Sequence, residues 1–200
     1  MRRRILLNSS VIDPTTGRGT IGDYEVVDLG LPSGLLWATC NVGATKETGY
    51  GNYYQWGAGT IDIKDGGNYH TGGTDSSYTL PSSADTATQV MGSEWRMPTA
   101  DELRELKANT TYSYVTIDDV KYGKFTSKIN PNAYVFFPTA GYYHNWSPNS
   151  VGKVFDVWSS TPYDSSNAYN MQYNPGYNWL GVTYDTRNDG YSVRGVHAAI

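Results

Sequence analysis

The sequence predicts an α+β domain without disulfides, and three observations carry that prediction. Only 17% of residues are charged, below the usual ~25%. The 200 residues include 18 tyrosines and 22 glycines, a composition of short strands and turns rather than of a helical bundle. Finally, two helical segments in the first half give way after Lys107 to short β-type runs broken by Gly, Pro and Asn. The length fits one domain, and such a domain buries roughly 70% of its unfolded surface, enough for a core of its own.

In chain order, residues 1–22 read as an N-terminal arm or attachment segment with little pattern, and residues 23–200 as the domain. Tyr24 to Leu29 reads as a strand. The Gly30-Leu31-Pro32-Ser33-Gly34 turn follows, then an apolar strand from Leu35 to Cys40. Residues 57–79 are rich in Gly, Thr, Ser and Asp and read as a long surface loop. Ser82 to Val90 is a first helix, with Ser82 or Ser83 as cap and Gly92 as stop. The second helix has Thr99 as N-cap and Glu102 three residues on, a capping box. Its acids Asp101, Glu102 and Glu105 read as cap and solvated face, and Leu103 and Leu106 as core. Tyr122–Thr126, Tyr134–Phe137, Trp158–Ser160, Ala168–Tyr173 and Tyr191–Val196 read as strands.

Much chemistry is excluded. With 15 basic and 19 acidic residues the net charge is −4, so the basic footprint of a nucleic-acid binder is missing. The longest apolar run, Ala133 to Phe137, is far short of the ~20 residues of a membrane span. Ile5-Leu6-Leu7 after Arg2-Arg3-Arg4 is too short for a signal-peptide core, so no export signal is read. Cys40 is the only cysteine, and its apolar strand makes it a buried small hydrophobe rather than a catalytic thiol. There is no nucleophile elbow, phosphate loop or dinucleotide fingerprint. His70, His144 and His197 are scattered, without metal-ligand spacing. The expectation is a non-enzyme with no cofactor and no metal.

The last quarter departs from the rest. The final glutamate is Glu105 and the final lysine Lys153, so residues 154–200 contain neither. The same stretch carries Tyr163, Tyr169, Tyr173, Tyr177, Tyr184 and Tyr191, interleaved with Asn, Ser, Thr, Asp and Gly. Tyrosine offers large amphipathic area with few torsions to freeze, and the small polar residues offer adaptable hydrogen bonding. The residues are those of an antibody-type paratope; the alternative is a Tyr-rich β-surface with no partner.

The motifs also carry a resemblance. Asp28-Leu29-Gly30-Leu31-Pro32-Ser33-Gly34-Leu35-Leu36-Trp37-Ala38-Thr39-Cys40-Asn41-Val42-Gly43-Ala44 resembles the opening signature of the Fibrobacter major-paralogous-domain family. Gly51, Tyr53, Trp56 and Gly57 continue it, then Trp95-Arg96-Met97-Pro98-Thr99, Pro138-Thr139-Ala140-Gly141, Trp158-Ser159-Ser160-Thr161-Pro162 and Gly190-Tyr191-Ser192-Val193-Arg194. The resemblance covers about residues 24–197 and implies a disulfide-free C-type lectin-like fold: two helices and a meander of short antiparallel strands with long loops. Some members of that family are variable proteins of diversity-generating retroelements of gut bacteria and their phages. In these, adenine mutagenesis scatters asparagine codons into many residue types but cannot reach Lys, Glu, Gln, Met or Trp. Met171, Gln172 and Trp179 would then be scaffold positions, with Gln172 the doubtful one. The calcium-binding tripeptides of sugar-binding C-type lectins do not occur, nor does the cysteine pair of formylglycine-generating enzymes.

The resemblance implies a ligand-binding, receptor-recognition module. Trp37, Trp95, Trp158 and Val193 would hold the frame, and Arg194 would make an ion pair or carbonyl contacts. The recognition face would come from Phe155, Asp156, Asn170, Asn174, Tyr177, Leu180, Val182, Thr183, Tyr184, Asp185, Asn188, Asp189 and Tyr191, with the members between 177 and 189 forming one exposed patch. The ligand would be a protein or glycan on a cell surface, with no nucleic acid and no membrane insertion. Display on a phage virion or a bacterial surface follows, the arm attaching the domain to a larger particle or oligomer. The alternative is a non-diversified bacterial adhesion or glycan-contacting domain of the same family.

Overall fold

The computed structural model describes residues 11–60, 62–63 and 79–199. Its architecture is α+β and mostly antiparallel, with two helices. Strands β1 (Arg18–Ile21), β2 (Tyr24–Asp28), β3 (Leu36–Asn41), β13 (Arg194–His197) and β4 (Trp95–Arg96) form one sheet in that order. Strand β13 therefore pairs with β3, which joins residues 194–197 to residues 36–41 in one sheet. A second sheet is β5 (Thr110–Ile117), β6 (Val120–Ser127) and β7 (Tyr134–Pro138). A third is β10 (Phe155–Pro162), β11 (Asn167–Asn174) and β12 (Trp179–Thr186). Strands β8 (Tyr142–His144) and β9 (Ser147–Asn149) form a separate hairpin.

Helix α2 (Ala100–Asn109) starts as expected. Thr99 Oγ1 accepts from the Glu102 amide at 3.2 Å, and the Glu102 carboxylate accepts from the Thr99 amide at 2.8 Å. Glu102 also grips Arg96 through two bonds of 2.7 and 2.6 Å. Leu103 and Leu106 are fully buried. The main core joins them to Val27, Trp37, Phe125, Phe137, Phe155, Val157 and Met171, so all three large sheets share it. A second core packs Trp158, Tyr191, Trp56, Tyr54, Met97 and Val193. Burying each such side chain contributes roughly 1.5–3 kcal/mol.

Several expectations need correction. Helix α1 runs Thr86–Met91 with Asp85 as its cap, not Ser82 or Ser83. Asp85 is buried and accepts from the amides of both Thr88 and Met97, which a serine further out would not reach. Residues 18–21, inside the stretch read as an arm, are a strand, because Ile21 packs against the Val26 and Leu36 cluster while β1 pairs with β2. Residues 1–10, with the arginine tip, lie outside the described residues, as does most of the loop read at 57–79. Cys40 is only partly buried and lines a cleft of about 740 Å³ with Tyr24, Glu47 and Met91, since its side of β3 is less covered.

Arg194 settles on carbonyls. Its guanidinium donates to Ala38 O, Thr39 O and Phe136 O and to Asn41 Oδ1, with no carboxylate among these partners. It lies under the Phe137 ring, 4.7 Å from its centre. Burial pushes its pKa down to about 10, which still leaves it charged at neutral pH.

Candidate ligand-binding face

The third sheet decides where the candidate residues go. Side chains alternate across a strand, and the register fixes which ones share a side. Phe155, Val157, Met171, Tyr173, Leu180 and Val182 meet the main core. Asp156, Trp158, Asn170, Gln172, Thr183 and Asp185 therefore lie on the other face. That second face is polar, apart from Trp158 and Ala168, and it is backed by the aromatic frame.

The frame is rigid. Trp158 Nε1 donates to Tyr54 O at 2.8 Å, and Trp56 Nε1 to Ser159 O at 2.7 Å. The Trp158 ring stacks on Tyr191 at 4.2 Å, and Tyr142 meets Tyr191 edge-on at 5.8 Å. Both indole donors are thus satisfied, as burial demands.

Three carboxylates converge beside this frame. Asp156 is fully buried and accepts from Gln172 Nε2 at 2.7 Å. Asp185 accepts from Asn170 Nδ2 at 2.9 Å. Asp189 lies 2.8 Å from His144 Nδ1. Burial, with the charges of Asp185 and Asp189 adding to it and Gln172 opposing, pushes the Asp156 carboxyl up to about 8. Burial also raises Asp189, against the pull of His144. The Tyr142 and Tyr191 hydroxyls are raised by burial and then by these same three acids. Asp156 Oδ2 and Asn170 Oδ1 have no hydrogen-bond partner.

The β8–β9 hairpin forms a rim. Its two-residue turn, Asn145 and Trp146, has φ of 47° and 62°, and it holds the Trp146 ring 41% exposed. Such a conformation is costly for a bulky residue. A cleft of about 130 Å³ runs between this turn and Gln55, Thr186, Asn188 and Asp189.

No family model, curated protein or solved structure matches the chain.

Against this geometry the thirteen candidate residues separate. Asn174, Thr183 and Asp185 are half-buried on or beside the polar face, and Asn188 is exposed at its rim. Asp156, Asn170 and Asp189 form its floor rather than its surface, since their side chains are almost wholly covered. Phe155 and Tyr191 are corrections: both are core, Phe155 among Phe137, Phe125 and Tyr173, and Tyr191 under Trp158. Leu180 and Val182 are partly buried against the main core, on the opposite side of the sheet from Asp185. Tyr184 shares that side and stacks on Tyr163 at 3.7 Å, beside Tyr169. Tyr177, 84% exposed, stands at the β11–β12 turn. The expected single patch from 177 to 189 is thus divided by strand alternation into a polar face and an aromatic ledge.

Gln172, Tyr142, His144 and Trp146 belong to the polar face and were not among the candidates. Tyr142, His144 and Trp146 lie outside the altered last quarter, and the signal that could reveal them is the Asn145-Trp146 pair between two short β-type runs. Among the described residues no group of three His, Cys, Asp or Glu could hold a metal ion, and no helix is long and apolar enough to cross a membrane.

Proposed function

We propose that this chain is a ligand-recognition module of C-type lectin-like type, a variable protein of a diversity-generating retroelement. It would be displayed on a phage or bacterial surface and bind a protein or glycan on a cell. One observation carries the reading. The Lys- and Glu-free last quarter supplies Asn170, Thr183 and Asp185 to one polar side of a sheet and Asn188 to its rim, over a buried aromatic frame to which the same quarter gives Trp158 and Tyr191. Adaptable polar side chains on a preorganised support suit recognition of changing partners. The mostly antiparallel α+β architecture, without a disulfide and with β13 beside β3 in one sheet, supports the fold part of this reading.

The test is a displayed library randomised at Asn174, Thr183, Asp185 and Asn188, compared with one randomised at Trp56, Trp158 and Tyr191. The first should keep its thermal unfolding transition and yield binders against unrelated proteins. Loss of folding in the first library, or survival in the second, would overturn the assignment. Sequencing beside the gene tests diversification separately: a reverse transcriptase and an adenine-differing copy of the 3′ end are expected.

A second reading, a fixed glycan-contacting domain, draws on the aromatic ledge. The parallel Tyr163 and Tyr184 rings are 42% and 46% exposed and present flat apolar area of the kind sugar rings stack on. Absence of the template copy, together with glycan binding lost in Tyr184→Ala, would favour it.

A further inference from the structure

We propose that the cleft between helix α2 and strand β12 binds the carboxylated ring of an acidic sugar, a hexuronic or sialic acid residue of a surface glycan. None of its lining residues is among those assigned to the polar face. The inference therefore goes beyond the recognition reading and stands whether or not the polar face varies.

Shape is the first argument. The cleft has a volume of about 390 Å³ and is lined by Arg104, Lys107 and Ala108 of α2 and by Trp179, Gly181 and Val182 of β12. Ligand pockets span roughly 300–1,000 Å³. Strand β12 is the last strand of its sheet, so the cleft follows a sheet edge. Gly181 sets one wall: the Trp179 ring lies across it, and a Cβ there would come within 2.5 Å of the ring. The indole is held beside the cleft, 40% exposed. It offers a flat apolar plane, and a pyranose offers a matching C–H face.

Charge is the second argument, and it is independent. Among the described residues no aspartate or glutamate lines the cleft, and its two ionisable groups are both cations. Arg104 and Lys107 stand three apart on α2 and so share a face of the helix. Lys107 Nζ gives one N–H to Leu180 O at 2.8 Å, which holds the ammonium against the strand. Arg104 is 48% exposed, and its Nη1 donates to Asp101, itself 92% exposed. An exposed pair of this kind is weak, so a ligand carboxylate can take the guanidinium fork instead. A neutral sugar would leave both cations unmatched. An acidic peptide side chain would match them but brings no flat face to the indole.

Beyond Arg104 the aromatic surface continues. The guanidinium lies over the Tyr169 ring at 5.1 Å. Tyr169 meets Tyr163 edge-on at 5.3 Å, and Tyr163 stacks on Tyr184. The exposed Tyr163 and Tyr184 rings are thus joined to the cleft by a chain of contacts, and they receive the next sugar of a glycan whose acidic residue fills the cleft.

The experiment is an NMR titration of the ¹⁵N-labelled full chain that follows the Trp179 indole N–H, assigned by its loss in Trp179→Phe. The probes are methyl β-glucuronide, methyl α-sialoside, the neutral methyl β-glucoside and acetyl-glutamate amide. At least one acidic sugar should shift the Trp179 indole, leave the buried Trp56 and Trp158 indoles in place, and bind about tenfold more tightly than the glucoside; which one responds distinguishes a hexuronic from a sialic residue. Arg104→Gln and Lys107→Gln should each remove most of that advantage without moving the urea midpoint, since both side chains are exposed. Gly181→Ala should weaken acidic and neutral sugars alike, because it displaces the indole. Equal binding of the glucoside or of acetyl-glutamate amide, silence with both acidic sugars, or a response untouched by both cation variants would overturn the proposal. The randomised library contains none of the cleft residues. Binders from that library beside silent sugars remove only the cleft, and a bound acidic sugar beside a library without binders leaves the cleft and removes the recognition reading.

Discussion

Replacing Asp156 by asparagine should make the protein more stable at alkaline pH and flatten its pH dependence. The carboxyl is fully buried, and its pKa is raised from 3.8 to about 8, by burial first and the neighbouring acids second. Between those two values the folded chain keeps a proton that the unfolded chain has released. Stability therefore falls as pH rises through that window and is level on either side of it. At about 1.4 kcal/mol for each pH unit, ionising Asp156 inside the fold costs on the order of 6 kcal/mol, a large part of the ~5–15 kcal/mol that a domain has. Asparagine has the same shape, keeps Oδ1 for Gln172 Nε2, and brings an N–H in place of the partnerless Oδ2. Urea unfolding from pH 4 to pH 9, read by tryptophan fluorescence, checks this. The two proteins should be nearly equal at pH 4 and separate by several kcal/mol at pH 9, the variant being the stabler. A shallower slope remains from Asp189 and Asp85, both also raised by burial. Parallel curves for the two proteins would refute the reasoning, since Asp156 would then not hold its proton.

Trp158→Ala should cost ~3–5 kcal/mol in urea unfolding, because the ring is fully buried, stacked on Tyr191 and bonded to Tyr54 O. Arg194→Lys should cost about 3 kcal/mol or more, since a single ammonium cannot replace a fork reaching Ala38, Thr39, Asn41 and Phe136. Tyr184→Ala should cost no more than about 1 kcal/mol, the loss of one exposed stack on Tyr163; a cost near that of Trp158→Ala would place Tyr184 in the core.

What was legible in the sequence was whatever has a local cause. The capping box at Thr99 and Glu102 is a contact between neighbours in the chain, and it stands as read. The apolar runs at Leu36 and Tyr134 are likewise strands. What was not legible depends on distant partners. Strand β5 reads TTYSYVTI and mixes buried, half-buried and exposed positions; the Tyr112 and Tyr114 rings are turned inward where Tyr173 packs on both. Strand β12 carries Gly181 in its middle, a residue that argues against a strand. The Trp179 ring folds over that glycine, and a Cβ there would lie 2.5 Å from it. The polar face was half legible. Composition pointed to the last quarter, but the side each residue faces follows from pairing with β11, and its rim on β8 comes from elsewhere in the chain.

That pairing makes the diversification reading sharper than composition could. If the gene's sibling copies vary through templated mutagenesis, the substitutions cannot fall evenly along β11 and β12. A change at Leu180 or Val182 enters the main core, where overpacking costs typically 1–3 kcal/mol and a new polar group more. A change at Thr183 or Asp185 meets the open side of the same strand, where substitutions are usually within ~0.5 kcal/mol. Variation should therefore follow a period of two, with Asn170, Thr183 and Asp185 changing and Met171, Tyr173, Leu180 and Val182 held. Sequencing the gene in many isolates measures this directly. Substitutions at Val182 as frequent as those at Thr183 would contradict it, because a surface that varied without regard to the pleat would unfold its own support. Asn170 is the most exacting position: it is buried, so only residues able to satisfy Asp185 or leave it solvated should appear there.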